Sequence, residues 1–113
     1  MRFISKAILN FLSKVGVNSD QRIQMVPKSA SGIRPGSIVF FKYQESSVVL
    51  LVVSPVVKDA KTGNRLFTGF KVPLGEDYTP ESLTNLYKNK ELPTGNYRTY
   101  ILSKIKGPVR RIR

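Results

Sequence analysis

Apolar residues recur at helical spacing at the start of the chain and at strand spacing through most of the rest. Phe3, Ile4, Ala7, Ile8, Phe11, Leu12 and Val15 fall on one face of an amphipathic helix over residues 1–16. Arg2, Lys6 and Lys14 lie among its polar positions, and Gly16 is placed to end it. Residues 17–22 read as a connector. From Ile23 the period changes: "RIQMVP" is a short strand closed by Pro27, and "KSASGIRPG" is a loop rich in Ser, Gly and Pro. "SIVFFKY" (37–43) is a β-branched and aromatic strand, "QESS" a turn, and "VVLLVVS" (48–54) a strand apolar on both faces and therefore central. "KDAKTGN" (58–64) signals a turn, and "RLFTGFKVP" (65–73) a third strong strand with Gly69 at a bulge or bend.

A short helix follows. Thr79 is its N-cap, Pro80 fits the first helical position, and Glu81 meets the positive end of the helix dipole. Leu83, Leu86 and Tyr87 share one face. "LPTGN" then breaks the chain before "YRTYILSKI" (97–105), the last long strand, and Gly107-Pro108 makes a bend ahead of "VRRIR". These elements predict a mainly β fold: a small, strongly bent SH3-like β-barrel of about five strands, preceded by the amphipathic helix and with one short helix before the last long strand. The organisation expected is helix (1–16), connector (17–22), barrel (23–107) and a basic C-terminal strand or tail (108–113).

Charge changes this picture more than composition does. Lys and Arg number 19 against 7 Asp and Glu, a formal net charge of +12 in 113 residues. Such a surplus repels itself in a compact state and attracts polyanions. The chain has no Cys and no His, which removes disulfides, thiolate chemistry, the usual general base near pH 7 and the commonest metal ligand. Ser-His-Asp and Cys-His nucleophile arrangements cannot be built, and no glycine-rich phosphate-binding motif is present. Glu76 and Asp77 are the one adjacent pair of carboxylates, and they precede a helix where negative charge is useful structurally. The chain is therefore read as non-enzymatic, with no cofactor, no metal site and no small-molecule substrate indicated. "SVVLLVVSPVV" is too short to span a bilayer and is interrupted by Pro55, and the N-terminal stretch is too broken by Lys6, Asn10 and Lys14 to be a secretory signal.

"IRPGSIVFFKY" followed by "VVLLVVSP" resembles the opening of SH3-like barrels, in which a Pro-Gly turn delivers the chain into the first strand. It is similar in this respect to the MazF-type endoribonucleases, but the long first loop and the Arg before the second strand are missing here. "YRTYILSKI" resembles the late strand of WYL-type domains, and that resemblance implies ligand or nucleic-acid contacts from Arg98 and Lys104. The order of elements over residues 33–112 resembles short proteins of tailed bacteriophages. It implies a place in the host cytoplasm or within a virion.

The leading expectation is sequence-independent binding of nucleic acid through phosphate contacts. The ending "KIKGPVRRIR" supplies Lys104, Lys106, Arg110, Arg111 and Arg113, and Arg98 joins them. Aromatic rings interleaved with basic residues add Lys42, Tyr100 and the neighbouring Tyr43 and Tyr97, where exposed rings would stack bases. The 58–65 turn adds Lys58, Lys61 and Arg65 around a flexible Gly. The alternative is a structural or adaptor protein of a virion or similar assembly, docking on an acidic protein surface through its basic C-terminus. In that role the N-terminal helix would insert Phe3, Ile8, Phe11 and Leu12 into a neighbouring subunit, or fold back onto its own barrel.

Overall fold

A computed structural model describes residue 11 and residues 23–112 of the chain. Six strands form one antiparallel sheet: β1 (Ile23–Val26), β2 (Ile38–Tyr43), β3 (Ser46–Lys58), β4 (Arg65–Lys71), β5 (Tyr97–Ile101) and β6 (Ile105–Ile112). A nine-residue helix, α1 (Pro80–Lys88), lies between β4 and β5, and a 3-10 turn (Leu102–Lys104) joins β5 to β6. The spatial order is β1-β6-β2-β3-β4-β5, so the sheet is not closed and β1 and β5 are its ends. It is nevertheless strongly curled. β2 and β5 are three strands apart, which in a flat sheet is roughly 14 Å. Yet the Tyr43 and Tyr100 rings meet at 4.9 Å, and the Tyr43 hydroxyl accepts from the Ile101 N–H at 3.2 Å.

Alternation divides the apolar residues between two cores, one on each face of the sheet. Inside the curl lie Val39, Phe41, Val48, Leu50, Val52, Phe67, Tyr100 and Val109, joined by Ile33 from the loop after β1. Outside it, Ile38, Phe40, Val49, Leu51 and Phe70 pack with Leu83 of α1 and with Phe11. The central position expected for β3 follows directly, because a strand buried on both faces needs consecutive apolar residues. Its thirteen residues outrun the expected span, with register irregularities between Val52 and Ser54 and between Ser54 and Val57. The bend near Gly69 has a steric origin: a Cβ there would stand 2.4 Å from the Leu51 carbonyl oxygen. Phe11 is 1% exposed in the outer core, so this ring is engaged by its own sheet rather than offered to a partner. Phe3, Ile8 and Leu12, named with it as docking residues, lie outside the described residues.

The start of α1 follows the expected capping. Thr79 Oγ1 accepts from the Ser82 N–H at 3.0 Å, and Ser82 Oγ accepts from the Thr79 N–H at 2.9 Å, a reciprocal box with Pro80 at the first helical position. The turn between β2 and β3 is tighter than "QESS" suggests. Only Gln44 and Glu45 separate the strands, both with positive φ (49° and 69°), as a two-residue hairpin requires.

The C-terminal third departs most from expectation. The long strand expected over 97–105 ends at Ile101. The buried Leu102 opens a 3-10 turn, and the chain then runs back as β6. The ending is neither a tail nor a sheet edge: β6 pairs with β1 on one side and with β2 on the other. Gly107 (φ 75°) forms the expected bend, seen as a register shift opposite Phe41, after which Val109 is fully buried.

Candidate nucleic-acid interface

Pleating decides where the C-terminal bases go. Arg110 is opposite Phe40 and Arg111 is opposite Val39, and these two β2 residues belong to the outer and inner cores. The two arginines therefore project from opposite faces of the sheet. Lys106 stands opposite Lys42, and its Nζ is 3.5 Å from Glu45 Oε2 in an exposed ion pair. Arg111 Nη2 donates to Gln24 Oε1 of β1 at 3.3 Å. The run that looks continuous in sequence is thus dispersed, with Lys42, Lys106 and Arg110 outside, Arg111 inside and Arg113 beyond the described residues.

Two of the residues expected to bind nucleic acid sit on β5, one exposed and one buried. Arg98 lies on the end strand β5 opposite Gly69, and its Nη1 donates to the Tyr97 carbonyl at 2.9 Å. Tyr100 is only 6% exposed, so it is not free to stack on a base. It fills the inner core against Phe41, Tyr43 and Phe67, because a curled sheet this small needs large rings at its centre. Burial raises its hydroxyl's pKa, an effect opposed by the Arg98 charge and reinforced by Tyr43. Tyr43 is half-buried, and Tyr97, at 38%, is the exposed one of the three tyrosines.

A more compact basic group forms at the opposite end of β3 from Glu45. Lys58 and Arg65 are cross-strand partners at the mouth of the β3–β4 hairpin, and Lys61 sits in its turn. The turn is tightly held. Asp59 Oδ2 accepts from both the Thr62 N–H (3.1 Å) and the Thr62 hydroxyl (2.7 Å), while Gly63 takes a positive φ of 77°. The 3-10 turn brings Ser103 and Lys104 toward the same end, since β5 stops opposite Leu66, next to Arg65. Lys28 completes the group. Its Nζ donates to the Ile105 carbonyl at 3.3 Å.

Sequence reasoning missed Lys28 because a single lysine in a Ser-rich loop carries no signal of its own. Its position comes from how the loop is pinned. Ile33 is fully buried in the inner core, and Gly32 packs so closely that a Cβ would sit 2.1 Å from the Pro27 carbonyl oxygen. Only glycine permits that approach.

Two clefts open beside this group and share Arg65 as a common wall. One, of ≈ 370 Å³, is lined by Lys28, Gly63, Asn64, Arg65, Leu102 and Ser103. The other, of ≈ 360 Å³, has Ser29, Ser31, Val56, Val57, Lys58 and Arg65 among its walls. Neither is lined by a carboxylate. Among the described residues, no side-chain hydrogen bond or ion pair engages Lys58, Lys61, Arg65 or Lys104. A larger cleft, of ≈ 720 Å³, runs along α1, but Glu76, Asp77 and Glu91 line it and would repel phosphate.

Among the described residues, no three His, Cys, Asp or Glu are grouped to hold a metal ion, and no helix is long and apolar enough to cross a membrane. Comparison with protein-family models, curated proteins and solved structures finds no match to the chain.

Proposed function

We propose that the protein binds nucleic acid without catalysis, through phosphate contacts made chiefly at the hairpin end of the sheet. The observation that carries this reading is the segregation of charge. Four of the seven carboxylates (Glu76, Asp77, Glu81 and Glu91) belong to α1 and its flanks. The hairpin end gathers Lys28, Lys58, Lys61, Arg65 and Lys104, and the nearby Asp59 carboxylate is occupied within its own turn. Cations without carboxylate partners neutralise phosphates and release the counterions condensed on a nucleic acid. We propose the SH3-like reading of the fold on the curl of the sheet, and the phage setting on the resemblance in element order alone.

Fluorescence anisotropy with duplex DNA, single-stranded DNA and RNA at two salt concentrations tests the proposal. Affinity should fall steeply with salt. Replacing Lys58 and Lys61 by Ala should lower the slope of log affinity against log salt by about 0.7–0.9 for each phosphate no longer neutralised. The double change R110A/R111A should matter less, because its two side chains do not share a face. Absence of binding at low salt would overturn the proposal and leave the basic surface to an acidic protein partner, the adaptor role.

A further inference from the structure

Resting on the nucleic-acid reading, we infer that the Arg65 region takes single-stranded nucleic acid, with unpaired bases entering the clefts on either side of the guanidinium. The two clefts combine apolar and cationic surface in the way a nucleotide requires. Val56 and Val57 in one offer apolar contact to a base, Leu102 lies largely buried at the wall of the other, and Lys28 and Lys58 stand beside them for the flanking phosphates. Arg65 borders both clefts with its guanidinium unengaged. A planar guanidinium in that position can stack on a base while retaining its charge.

Duplex DNA presents phosphates to such a surface but keeps its bases paired and stacked, and bringing one into a cleft requires flipping it out. A single strand has bases already available to splay and stack. The shape of the surface therefore discriminates strandedness, where charge alone would not. Ser29, Ser31 and Ser103 add hydroxyls at the cleft walls with no requirement for one particular base.

The test compares a short oligothymidylate carrying one 2-aminopurine with a length-matched duplex, on the full chain and on Arg65→Lys and Val57→Glu variants. Val57 is 52% exposed, so its replacement leaves both cores intact. The single strand should bind more tightly than the duplex, and 2-aminopurine fluorescence should change on binding. Arg65→Lys keeps the charge and removes the planar stack. It should weaken the single strand about tenfold with an unchanged salt slope and leave the duplex nearly unaffected. Val57→Glu should abolish the preference for the single strand. Equal or tighter duplex binding with Arg65→Lys neutral would overturn the inference while the nucleic-acid reading stood. Failure of both ligands to bind at low salt would overturn both.

Discussion

Ending the chain at Lys106 looks from the sequence like removal of a basic tail, but in the structure it removes most of an interior strand. β1 has β6 as its sheet partner through four register pairs, from Ile23↔Ile112 to Val26↔Val109, and would be left without any of them. β2 would be deprived of its partners at Ile38, Val39 and Phe40. Val109 is fully buried in the inner core, and removing such a side chain forfeits about 1.5–3 kcal/mol of burial. The ladder hydrogen bonds on both sides of β6 contribute about 1 kcal/mol each, and the deletion also uncovers Val26 in the inner core and the outer-core neighbours of Ile112. The total exceeds about 5 kcal/mol, the lower end of the stability of a natural domain. The truncated chain should therefore lack a cooperative thermal transition by circular dichroism and show collapsed amide dispersion by NMR. R110A/R111A should retain both. A truncated chain melting cooperatively near the full-length temperature would refute the placement of β6. In binding assays, failure of the truncated chain to bind nucleic acid would report unfolding rather than loss of a phosphate-contacting tail.

Three further outcomes follow from local geometry. Because burial holds Tyr100 in its neutral form, its folded pKa lies above the ordinary value of 10.0. The associated stability is present below that value and is lost as pH rises through the folded pKa, so urea midpoints should fall in alkali and fall less in Tyr100→Phe. Gln44 and Glu45 both occupy the positive-φ region of the hairpin, so replacing them with Asn and Gly should stabilise the protein by about 0.5–1 kcal/mol, read from denaturant midpoints at constant m-value. Thr79→Ala removes one half of the capping box and should cost about 1 kcal/mol in the same measurement.

Where a local rule had one physical cause, the sequence was readable. The β-branched and aromatic run 37–43, the doubly apolar 48–54 and the Thr79-Pro80 helix start became β2, the centre of β3 and α1 with small boundary changes. The ending misleads because its charge is more conspicuous than its pleat. Val109 and Ile112 occupy core-facing positions, and the intervening arginines stay half-exposed on either face of an interior strand. Sequence distance also conceals the basic group at the hairpin end. Lys28, Lys58 and Arg65 lie in separate parts of the chain and line adjoining clefts only because the 3-10 turn before Ile105 and the Ile33 anchor fold three loops toward one end of the sheet. Tyr100 and Arg98 share a side of β5 as alternation requires, but alternation alone does not reveal that the sheet curls far enough to bury the ring.

The placement of β6 between β1 and β2 also sets the order in which the molecule can assemble. Hairpins β2–β3 and β3–β4 join neighbouring segments and can form early, whereas β1 must wait for residues that follow it by most of the chain's length. Pairing across such a separation carries a large loop-closure cost and belongs to slow-folding β topologies. During synthesis, β1 and one edge of β2 remain unpaired until Ile112 has emerged from the ribosome. Over that interval the apolar strand β2 is an open template for another chain, and the arginines between Val109 and Ile112 arrive with the segment that closes it.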